Sequence, residues 1–237
     1  YVEGDCPVRG DGGARGDQCD SCGATYEAHE LVNPLSKLNA DAKIEVRDTD
    51  HYFLLLNEFQ ASLEAHASER KGVWKPNVRA MTKNWLEMGL RPRAVTRDID
   101  WGITLPLDGD EWNSKRVYVW FEAVIGYLSA AKEWASDQAD PEIWRDWWED
   151  PAARSVYFIG KDNIPFHTII WPAMLTGYGG LNLPSDVPAN QYVTFRGGKA
   201  SASRGVGLTI NDGLDLFEPD ALRYALAASF PEQSDTE

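Results

Sequence analysis

The chain has 237 residues, of which 43% are hydrophobic and 11% aromatic, enough apolar material for the buried core of one or two domains. Its 37 acidic and 23 basic residues give a net charge of −14, which excludes a surface built throughout to attract nucleic-acid phosphates, so any RNA contact is expected to be local. No apolar run approaches the roughly 18 residues of a membrane span, and no leader pattern follows Tyr1. We expect a soluble, cytoplasmic protein without a membrane partner and, because the chain does not start with Met, a piece of a longer one.

Three cysteines, Cys6, Cys19 and Cys22, lie in the first 22 residues and none follows them. This clustering favours a metal site over the disulfide framework of a secreted protein. The last two form a C-x-x-C-G turn, whose thiolates on one tight loop suit tetrahedral zinc. The partner turn begins at Cys6, but Arg9 stands where its second thiolate belongs. The fourth ligand is left open between His29 and a residue outside the chain, as is a degenerate knuckle that binds no metal.

The pattern of the chain changes after a Gly-, Asp- and Cys-rich, loop-like module that ends near residue 36. Apolar spacing then predicts a strand over 51–56 and helices over 57–68 and 78–88. Gly89 is placed to end the second of these helices. Further along, β-rich runs predict strands over 117–121, 155–159 and 191–195, separated by helical segments. Strands that alternate with helices predict a parallel α/β sheet.

Ligands of open parallel sheets bind beyond the carboxyl ends of the strands, so the segments after these runs are the first candidates. Residues 160–167 follow the second strand, and a helix is predicted from Pro165. His167 and Trp171 are four positions apart and share one face of that helix. They are either ligand-binding residues or structural residues packed in the core. The aromatic residues at 144, 147 and 148 are interpreted as packing and helix-surface residues and not as a ligand site.

A small, basic, flexible loop follows the third strand, over residues 195–205. Its glycines permit unusual backbone dihedrals, while Lys199, Arg204 and the serines offer charge and donors to a phosphate. The same composition also suits a surface linker. The loop lacks the P-loop spacing of glycines and lysine.

Several of these motifs, in this order, resemble the methionyl-tRNA synthetases, a family of class I aminoacyl-tRNA synthetases. The resemblance rests on seven segments, 1–7, 14–23, 33–34, 96–102, 115–134, 160–177 and 191–207. It implies an α/β fold, the second half of a Rossmann-like parallel-sheet catalytic domain with a zinc-knuckle-type connective insertion at its N-terminus. The implied domains are the knuckle-like part of the connective peptide (1–36), the rest of that peptide (37–95), the catalytic half with a K-M-S-K-S-like loop (96–213) and the start of a stem-contact helical region (214–237).

The resemblance also implies site residues. The methionine side chain is expected to contact Trp120, Ala123, Val124, Tyr127, His167, Ile170 and Trp171, because aromatic walls suit a polarizable thioether. ATP is expected to contact Gly160, Lys161, Asp162, Lys199, Ser201, Ala202 and Ser203. Arg97, Asp162 and Lys199 are the expected catalytic residues, with an Arg97–Asp162 pair that orders the pocket or is simply a structural salt bridge. The expected metal ligands are Cys6, Cys19 and Cys22.

The implied activity is that of a methionine–tRNA ligase, with methionine, ATP, Mg2+ and tRNA(Met) as partners and zinc as a candidate metal. Methionine's own carboxylate attacks the α-phosphorus of ATP to give methionyl-adenylate and pyrophosphate, and the acyl group then passes to tRNA. No protein nucleophile is needed, so positioning and charge stabilisation carry the catalysis. The oligomeric state is left open.

The chain departs from the family pattern in several places. Glu122 and Val124 stand where Asp and Pro are usual, which we expect to be tolerated, but Ala202 replaces the second lysine of the K-M-S-K-S loop. No H-I-G-H-like motif occurs in the chain, and the anticodon-binding helices are missing. We therefore expect these 237 residues to be inactive on their own. The alternative is a catalytically inactive synthetase-like module that binds RNA or protein.

Overall fold

A computed structural model describes residues 2–15, 19, 22, 24, 26–39, 41–195, 198–199, 207 and 209–236. The side chains of 195, 198 and 199 are outside this description. The chain divides into two compact units, Tyr1–Asp50 and His51–Glu237. Among the described residues, no helix combines the length and the apolar character that crossing a membrane requires.

The first unit is built on a three-stranded antiparallel sheet in the order β2-β1-β3. Its strands are β1 (Val2–Asp5), β2 (Ala14–Arg15) and β3 (Val32–Ser36). Gly4 permits the close approach of β3, since a Cβ there would lie 2.6 Å from the carbonyl oxygen of Val32. The small core beside the sheet consists of Cys6, Ala14, Cys19, Tyr26 and Leu31.

The second unit begins with a series of short strands and helices, of which the first two helices lie close to those predicted. These elements are β4 (Phe53–Leu54), α1 (Gln60–Glu69), α2 (Pro76–Glu87), β5 (Arg93–Ala94), β6 (Thr96–Asp98), β7 (Lys115–Val117), α3 (Val119–Ser136) and α4 (Arg145–Trp148). A 3-10 turn, Leu56–Phe59, occupies the start of the first predicted helix. Gly89 lies just beyond α2 with φ +78°, a left-handed conformation that suits glycine at a helix end.

The remaining elements carry the predicted ligand-binding segments. They are β8 (Ile159–Gly160), a π-helix (Phe166–Ile170), α5 (Trp171–Tyr178), β9 (Ala189–Asn190), β10 (Thr194–Phe195), β11 (Gly198–Lys199), α6 (Ile210–Leu216) and α7 (Pro219–Ala228). The predicted helix from Pro165 is thus a π-turn that continues as an α-helix.

The predicted strand over 117–121 is wrong in most of its length. The strand ends at Val117, and α3 begins at Val119. The run has the β-branched and aromatic residues typical of strands. However, Phe121 and Val124 also fit a helical spacing, and both are buried on the inner face of α3. Burial of that face outweighs local strand propensity.

The second predicted run takes part in parallel pairing, but its partner is the segment just before the third run, because the strand within that run, β10, pairs antiparallel with β11. β8 pairs in parallel with β9, and a parallel bridge joins Val156 to Asp186. The other strand pairs of the second unit, among the described residues, are antiparallel: β4-β5, β6-β7 and β10-β11. A continuous parallel sheet that includes the segment near residue 117 stays a prediction.

The main core joins the helices that surround the candidate site. Its buried side chains come from α1, α2, α3, the π-helix and α5, and include Leu63, Trp85, Phe121, Ile169 and Leu175. All five residues of the π-helix are buried. A π-turn inside a helix is often found at functional sites, because its extra residue re-aims the side chains around it.

A buried hydroxyl pair links α2 to the π-helix. The Thr82 Oγ1 lies 2.8 Å from the Val78 carbonyl oxygen and 2.9 Å from the Thr168 Oγ1, and the Thr168 hydroxyl donates to the Ile164 carbonyl oxygen at 2.9 Å. Replacing Thr82 by valine keeps the shape but removes the donor, so we expect the free energy of unfolding to fall by about 1–2 kcal/mol.

A double-mutant cycle with Thr168→Val, followed by urea unfolding, measures this link. Because the two hydroxyls contact each other, the Thr82→Val/Thr168→Val protein should lose less stability than the sum of the single variants. Strict additivity would show that the contact between the two hydroxyls contributes nothing.

Candidate functional site

The candidate site lies where β8 ends and the π-helix faces α3. After Gly160 the chain makes a 3-10 turn, Lys161–Asn163, and enters the π-helix through Pro165. Pro fits this helix entry because its missing N–H has no partner there in any case. Helix α3 packs against the π-helix, so side chains from the two predicted segments meet.

A hydrogen-bonded pair, Tyr127 and His167, joins these two helices. The Tyr127 hydroxyl lies 2.9 Å from the His167 Nε2, and the His167 Nδ1 lies 2.9 Å from the carbonyl oxygen of Asn163. A carbonyl only accepts, so Nδ1 carries a proton and donates it to Asn163. When the imidazole is neutral, Nε2 is therefore the acceptor and the Tyr127 hydroxyl donates to it.

Burial favours this neutral state. His167 is only 4% exposed, and this burial lowers the pKa of its imidazole below the usual range, opposed by the contact with the Asn163 carbonyl. Burial also raises the pKa of Tyr127, so its hydroxyl keeps its proton at neutral pH. The pair thus has a fixed direction, with the tyrosine proton pointing at histidine.

An aromatic cluster surrounds the pair. The Tyr157 ring centroid lies 5.0 Å from that of Tyr127 and 5.5 Å from that of His167. The indole Nε1 of Trp171 donates to the Tyr157 hydroxyl at 3.1 Å, which brings Trp171 into the same cluster. Trp120 packs on Phe166 at 5.7 Å. Tyr157 is a site residue that no sequence motif indicated, although its buried position between the exposed Val156 and Phe158 follows the alternation expected of a strand.

The seven residues expected at methionine fall into two groups. Trp120, Ala123 and Tyr127 lie on an open face of α3, with Trp120 47% and Tyr127 41% exposed. The others, Val124, His167, Ile170 and Trp171, are buried. We call the exposed group the aromatic rim and the buried group the floor. The Trp148 ring lies edge-on to the Trp171 ring, with centroids 6.1 Å apart, which fits the interpretation of Trp148 as a packing residue.

The expected catalytic pair lies on separate segments. The guanidinium of Arg97 stacks over the Tyr118 ring at 3.9 Å from its centroid and donates to the carbonyl oxygens of Ala94 and Thr96 at 2.9 and 2.8 Å. Asp162 accepts a hydrogen bond of 3.2 Å from the Asn163 side chain. These contacts orient both side chains, and a direct Arg97–Asp162 interaction stays a prediction.

Lys161 is held at the end of β8 by the C-terminal segment. Its ammonium lies 2.7 Å from the Asp235 Oδ1 and 4.3 Å from the centroid of the Tyr192 ring. The same carboxylate oxygen accepts from the Tyr192 backbone N–H at 2.8 Å. The ammonium of Lys161, followed by this N–H, lowers the pKa of Asp235. A phosphate that approaches this site would therefore compete with Asp235 for the Lys161 ammonium.

The phosphate-loop prediction falls mostly beyond the structural description. Ser201, Ala202 and Ser203 lie outside the described residues. The backbone of Lys199 is described, in β11, which pairs antiparallel with β10 through Thr194–Lys199 and Phe195–Gly198. The loop thus starts from a short hairpin, and its approach to ATP stays a prediction.

The predicted metal ligands come together in the first unit. One ligand atom each of Cys6, Cys19, Cys22 and Asp11 lies within 4.8 Å of all the others. His29, the candidate fourth ligand named from the sequence, is not in this group and lies exposed in a 3-10 turn, Ala28–Glu30. Asp11 is a ligand candidate that the sequence analysis missed, since it falls outside the C-x-x-C spacing.

The three thiols influence one another. Burial opposes ionisation of Cys6, but backbone contacts with Arg9 and Val8 and the two neighbouring thiols lower the pKa of Cys6. Burial, followed by the neighbouring thiols of Cys19 and Cys6, raises the pKa of Cys22 to about 11. Cys6 therefore ionises more readily than Cys22, because a second thiolate beside the first is disfavoured by repulsion between like charges. A cation would remove that obstacle, and the donor set of sulfur and carboxylate oxygen fits zinc.

A separate cavity of about 490 Å³ lies between α1 and α2. Trp74, Thr82 and Leu86 line its wall, and Glu64, Lys71 and Arg79 also contribute to it. None of the residues expected to bind methionine, ATP or metal is among its lining residues. The aromatic cluster at Tyr127 and His167 is therefore distinct from it.

The whole chain, residues 1–237, matches the family model described as tRNA synthetases class I (M). The chain belongs to this family of class I aminoacyl-tRNA synthetases. A methionine–tRNA ligase of Thermoplasma acidophilum is 50% identical over 237 residues, which are 100% of this chain and 43% of that protein. One of Dehalococcoides mccartyi strain CBDB1 is 53% identical, over 100% of this chain and 42% of that protein. The chain thus spans less than half the length of these relatives.

Solved structures of methionyl-tRNA synthetases are also similar to this chain. The Mycobacterium tuberculosis methionyl-tRNA synthetase in complex with methionyl-adenylate superimposes with a TM-score of 0.67 and 27% identity, over 88% of this chain and 40% of that one. The apo form of the same synthetase gives a TM-score of 0.54 and 25% identity, over 81% and 35%. The α/β class of the fold is confirmed by these neighbours.

Proposed function

We propose that the chain is part of a methionine–tRNA ligase, and that it supplies the wall around the methionine side chain and one border of the ATP site. The observation that carries the proposal is the Tyr127–His167 hydrogen bond of 2.9 Å, which joins two motifs that the resemblance assigns to one pocket. The relatives that match the whole chain are methionine–tRNA ligases, which supports the same substrate.

The geometry suits a thioether side chain. Trp120 and Tyr127 offer exposed ring surface, and sulfur makes favourable contacts with aromatic rings. The Tyr127 hydroxyl donates its hydrogen bond to His167, so it presents lone pairs on its open side. The sulfur can accept a hydrogen bond from this hydroxyl only if the hydroxyl turns away from His167. A methylene group cannot accept a hydrogen bond at all and makes weaker contacts with the rings, so both effects distinguish it from sulfur.

The ATP side of the proposal rests on the segment after β8. Gly160 ends β8, a strand that pairs in parallel, and Lys161 and Asp162 follow it, which is where open α/β sheets bind ligands. This pairing also supports the Rossmann-like character of the catalytic half. We place Arg97 near Asp162 as its orienting partner, and the loop from Lys199 through Ser201, Ala202 and Ser203 over the phosphates.

The reaction needs two substrates held in line. The carboxylate of methionine attacks the α-phosphorus of ATP, the bond to the β-phosphate oxygen breaks, and pyrophosphate leaves with its charge. Mg2+ would neutralise that charge when bound with ATP. The residues of this chain hold the methionine side chain and orient the nucleotide, which reduces the entropic cost of bringing the substrates together. The adenylate then transfers its acyl group to the terminal ribose of tRNA(Met).

Amino-acid-dependent exchange of pyrophosphate into ATP tests the proposal. We expect the full-length enzyme to exchange with methionine and with no other standard amino acid at comparable kcat/KM. Residues 1–237 alone should not exchange, because the site needs ATP held from both halves of the split nucleotide-binding fold. Exchange that depends on another amino acid, or none in the full-length protein, would favour an inactive RNA- or protein-binding module instead.

The Ala202 substitution in the K-M-S-K-S-like loop gives a further prediction. Restoring lysine adds a positive charge where the leaving pyrophosphate develops negative charge, so Ala202→Lys should raise kcat of exchange about tenfold. Ala200→Lys is the matched control, since it adds the same charge two positions earlier and should change kcat much less. An unchanged rate in both variants would show that Lys199 or Arg204 already serves the phosphates.

A further inference from the structure

A buried group of four potential metal ligands includes a carboxylate that the knuckle pattern does not contain. Cys6 and Cys19 are 1% and 2% exposed, and Cys22 and Asp11 are half-buried beside them. The Oδ2 of Asp11 is shielded from solvent and has no hydrogen-bond partner among the described residues. A buried carboxylate oxygen without a donor is costly unless a cation satisfies it.

The turn after Cys6 explains how Asp11 reaches this position. The Gly10 N–H donates to the Cys6 carbonyl oxygen at 2.8 Å, and the Cys6 N–H donates to the Asp11 carbonyl oxygen at 2.8 Å. These two bonds close the loop so that Asp11 returns next to Cys6. Gly10, with φ +76°, permits the reversal. Arg9, where a thiolate would complete a C-x-x-C spacing, is exposed.

The distances fit one tetrahedral ion. The Sγ atoms of Cys6 and Cys22 lie 3.7 Å apart. Two sulfurs bonded to the same zinc at about 2.3 Å with a tetrahedral angle are about 3.8 Å apart. A disulfide would need about 2.05 Å. The thiols are therefore spaced as co-ligands.

We propose that Asp11 is the fourth ligand of a mononuclear zinc site, in place of the thiolate that Arg9 does not supply. Three thiolates and one carboxylate carry the same total charge as four thiolates, so the exchange leaves the electrostatics of the site unchanged. A carboxylate oxygen is a harder ligand than sulfur, which makes this site weaker for zinc than a four-cysteine knuckle.

Metal binding by the full-length protein and its variants tests the assignment. We expect one zinc per chain by elemental analysis, and a cobalt-substituted form whose absorption is that of tetrahedral Co2+ with three thiolates. Asp11→Ala should raise the Kd for zinc by tenfold or more in competition with a chelator, since losing a residue that only orients a ligand already costs about 10–100-fold. Asp11→Cys should increase the sulfur-to-cobalt charge-transfer absorption by about one third, from three thiolates to four.

Three further variants make the outcome decisive. His29→Ala should leave the Kd unchanged, and so should Asp41→Asn, an exposed aspartate of the same unit. Arg9→Cys should rescue Asp11→Ala by restoring a four-thiolate set. The assignment is overturned if His29→Ala, and not Asp11→Ala, weakens binding, if Asp11→Cys leaves the charge-transfer absorption unchanged, or if the wild-type protein binds no zinc.

Discussion

Replacing His167 by alanine is expected to lower kcat/KM for methionine about 100-fold in pyrophosphate exchange by the full-length enzyme. The change removes the acceptor of the Tyr127 hydroxyl and opens a cavity beneath the aromatic rim, losses that together amount to about 2–3 kcal/mol. The side chain of methionine is remote from the reacting carboxylate, so the loss should appear mainly in KM.

Matched variants separate recognition from general damage. Tyr127→Phe should lower kcat/KM for methionine about tenfold, because it leaves the buried His167 Nε2 without a donor. Tyr178→Phe, the same change at an exposed tyrosine that ends α5, should have no effect. Both site variants should also narrow the preference for methionine over norleucine, which carries a methylene in place of sulfur. A preference that stays constant while kcat falls would mean that the pair is structural.

Acid is expected to destabilise the second unit through His66. This side chain is 4% exposed, its ring lies edge-on to Trp74 at 5.5 Å, and its Nε2 is buried without a hydrogen-bond partner among the described residues. Burial, together with the positive charge of Arg70, lowers the pKa of His66 to about 4. The folded state therefore disfavours the protonated ring.

The sign follows from the two pKa values. The ordinary histidine pKa of about 6.5 applies to the unfolded chain, so below that pH the unfolded state binds a proton that the folded state resists. Stability is unaffected above pH 6.5 and falls as the pH drops towards 4, by about 3 kcal/mol from this residue. Urea unfolding at pH 7 and pH 4 measures the loss. His66→Leu should reduce the pH dependence by that amount, and an unchanged dependence would contradict the assignment.

The helices were the most predictable part of the structure. The predicted helices over 57–68 and 78–88 are observed as Gln60–Glu69 and Pro76–Glu87, since apolar spacing and the glycine at 89 act locally. The strand over 117–121 was wrong, because its residues satisfy both strand propensity and helical spacing. Packing against the π-helix decides between them, and packing is not visible in a local pattern.

The candidate site was predictable where a motif specifies it and hidden where tertiary structure completes it. Tyr127 and His167 meet, although they lie 40 positions apart in the chain. Tyr157 was missed, because a tyrosine within a predicted strand resembles ordinary core; in the structure it lies just before β8. Asp11 was missed for a different reason: its place in the ligand group depends on a loop closed by backbone hydrogen bonds, not on a C-x-x-C spacing.

A crystal structure of the full-length enzyme with a non-hydrolysable methionyl-adenylate analogue tests the central claim most directly. We predict that the thioether sulfur contacts the Tyr127 ring and lies within reach of its hydroxyl, above the buried floor formed by His167 and Trp171. The adenylate should extend towards Gly160 and Lys161 at the end of β8. A side chain bound elsewhere, for example in the cavity between α1 and α2, with the Tyr127–His167 pair untouched, would contradict the account.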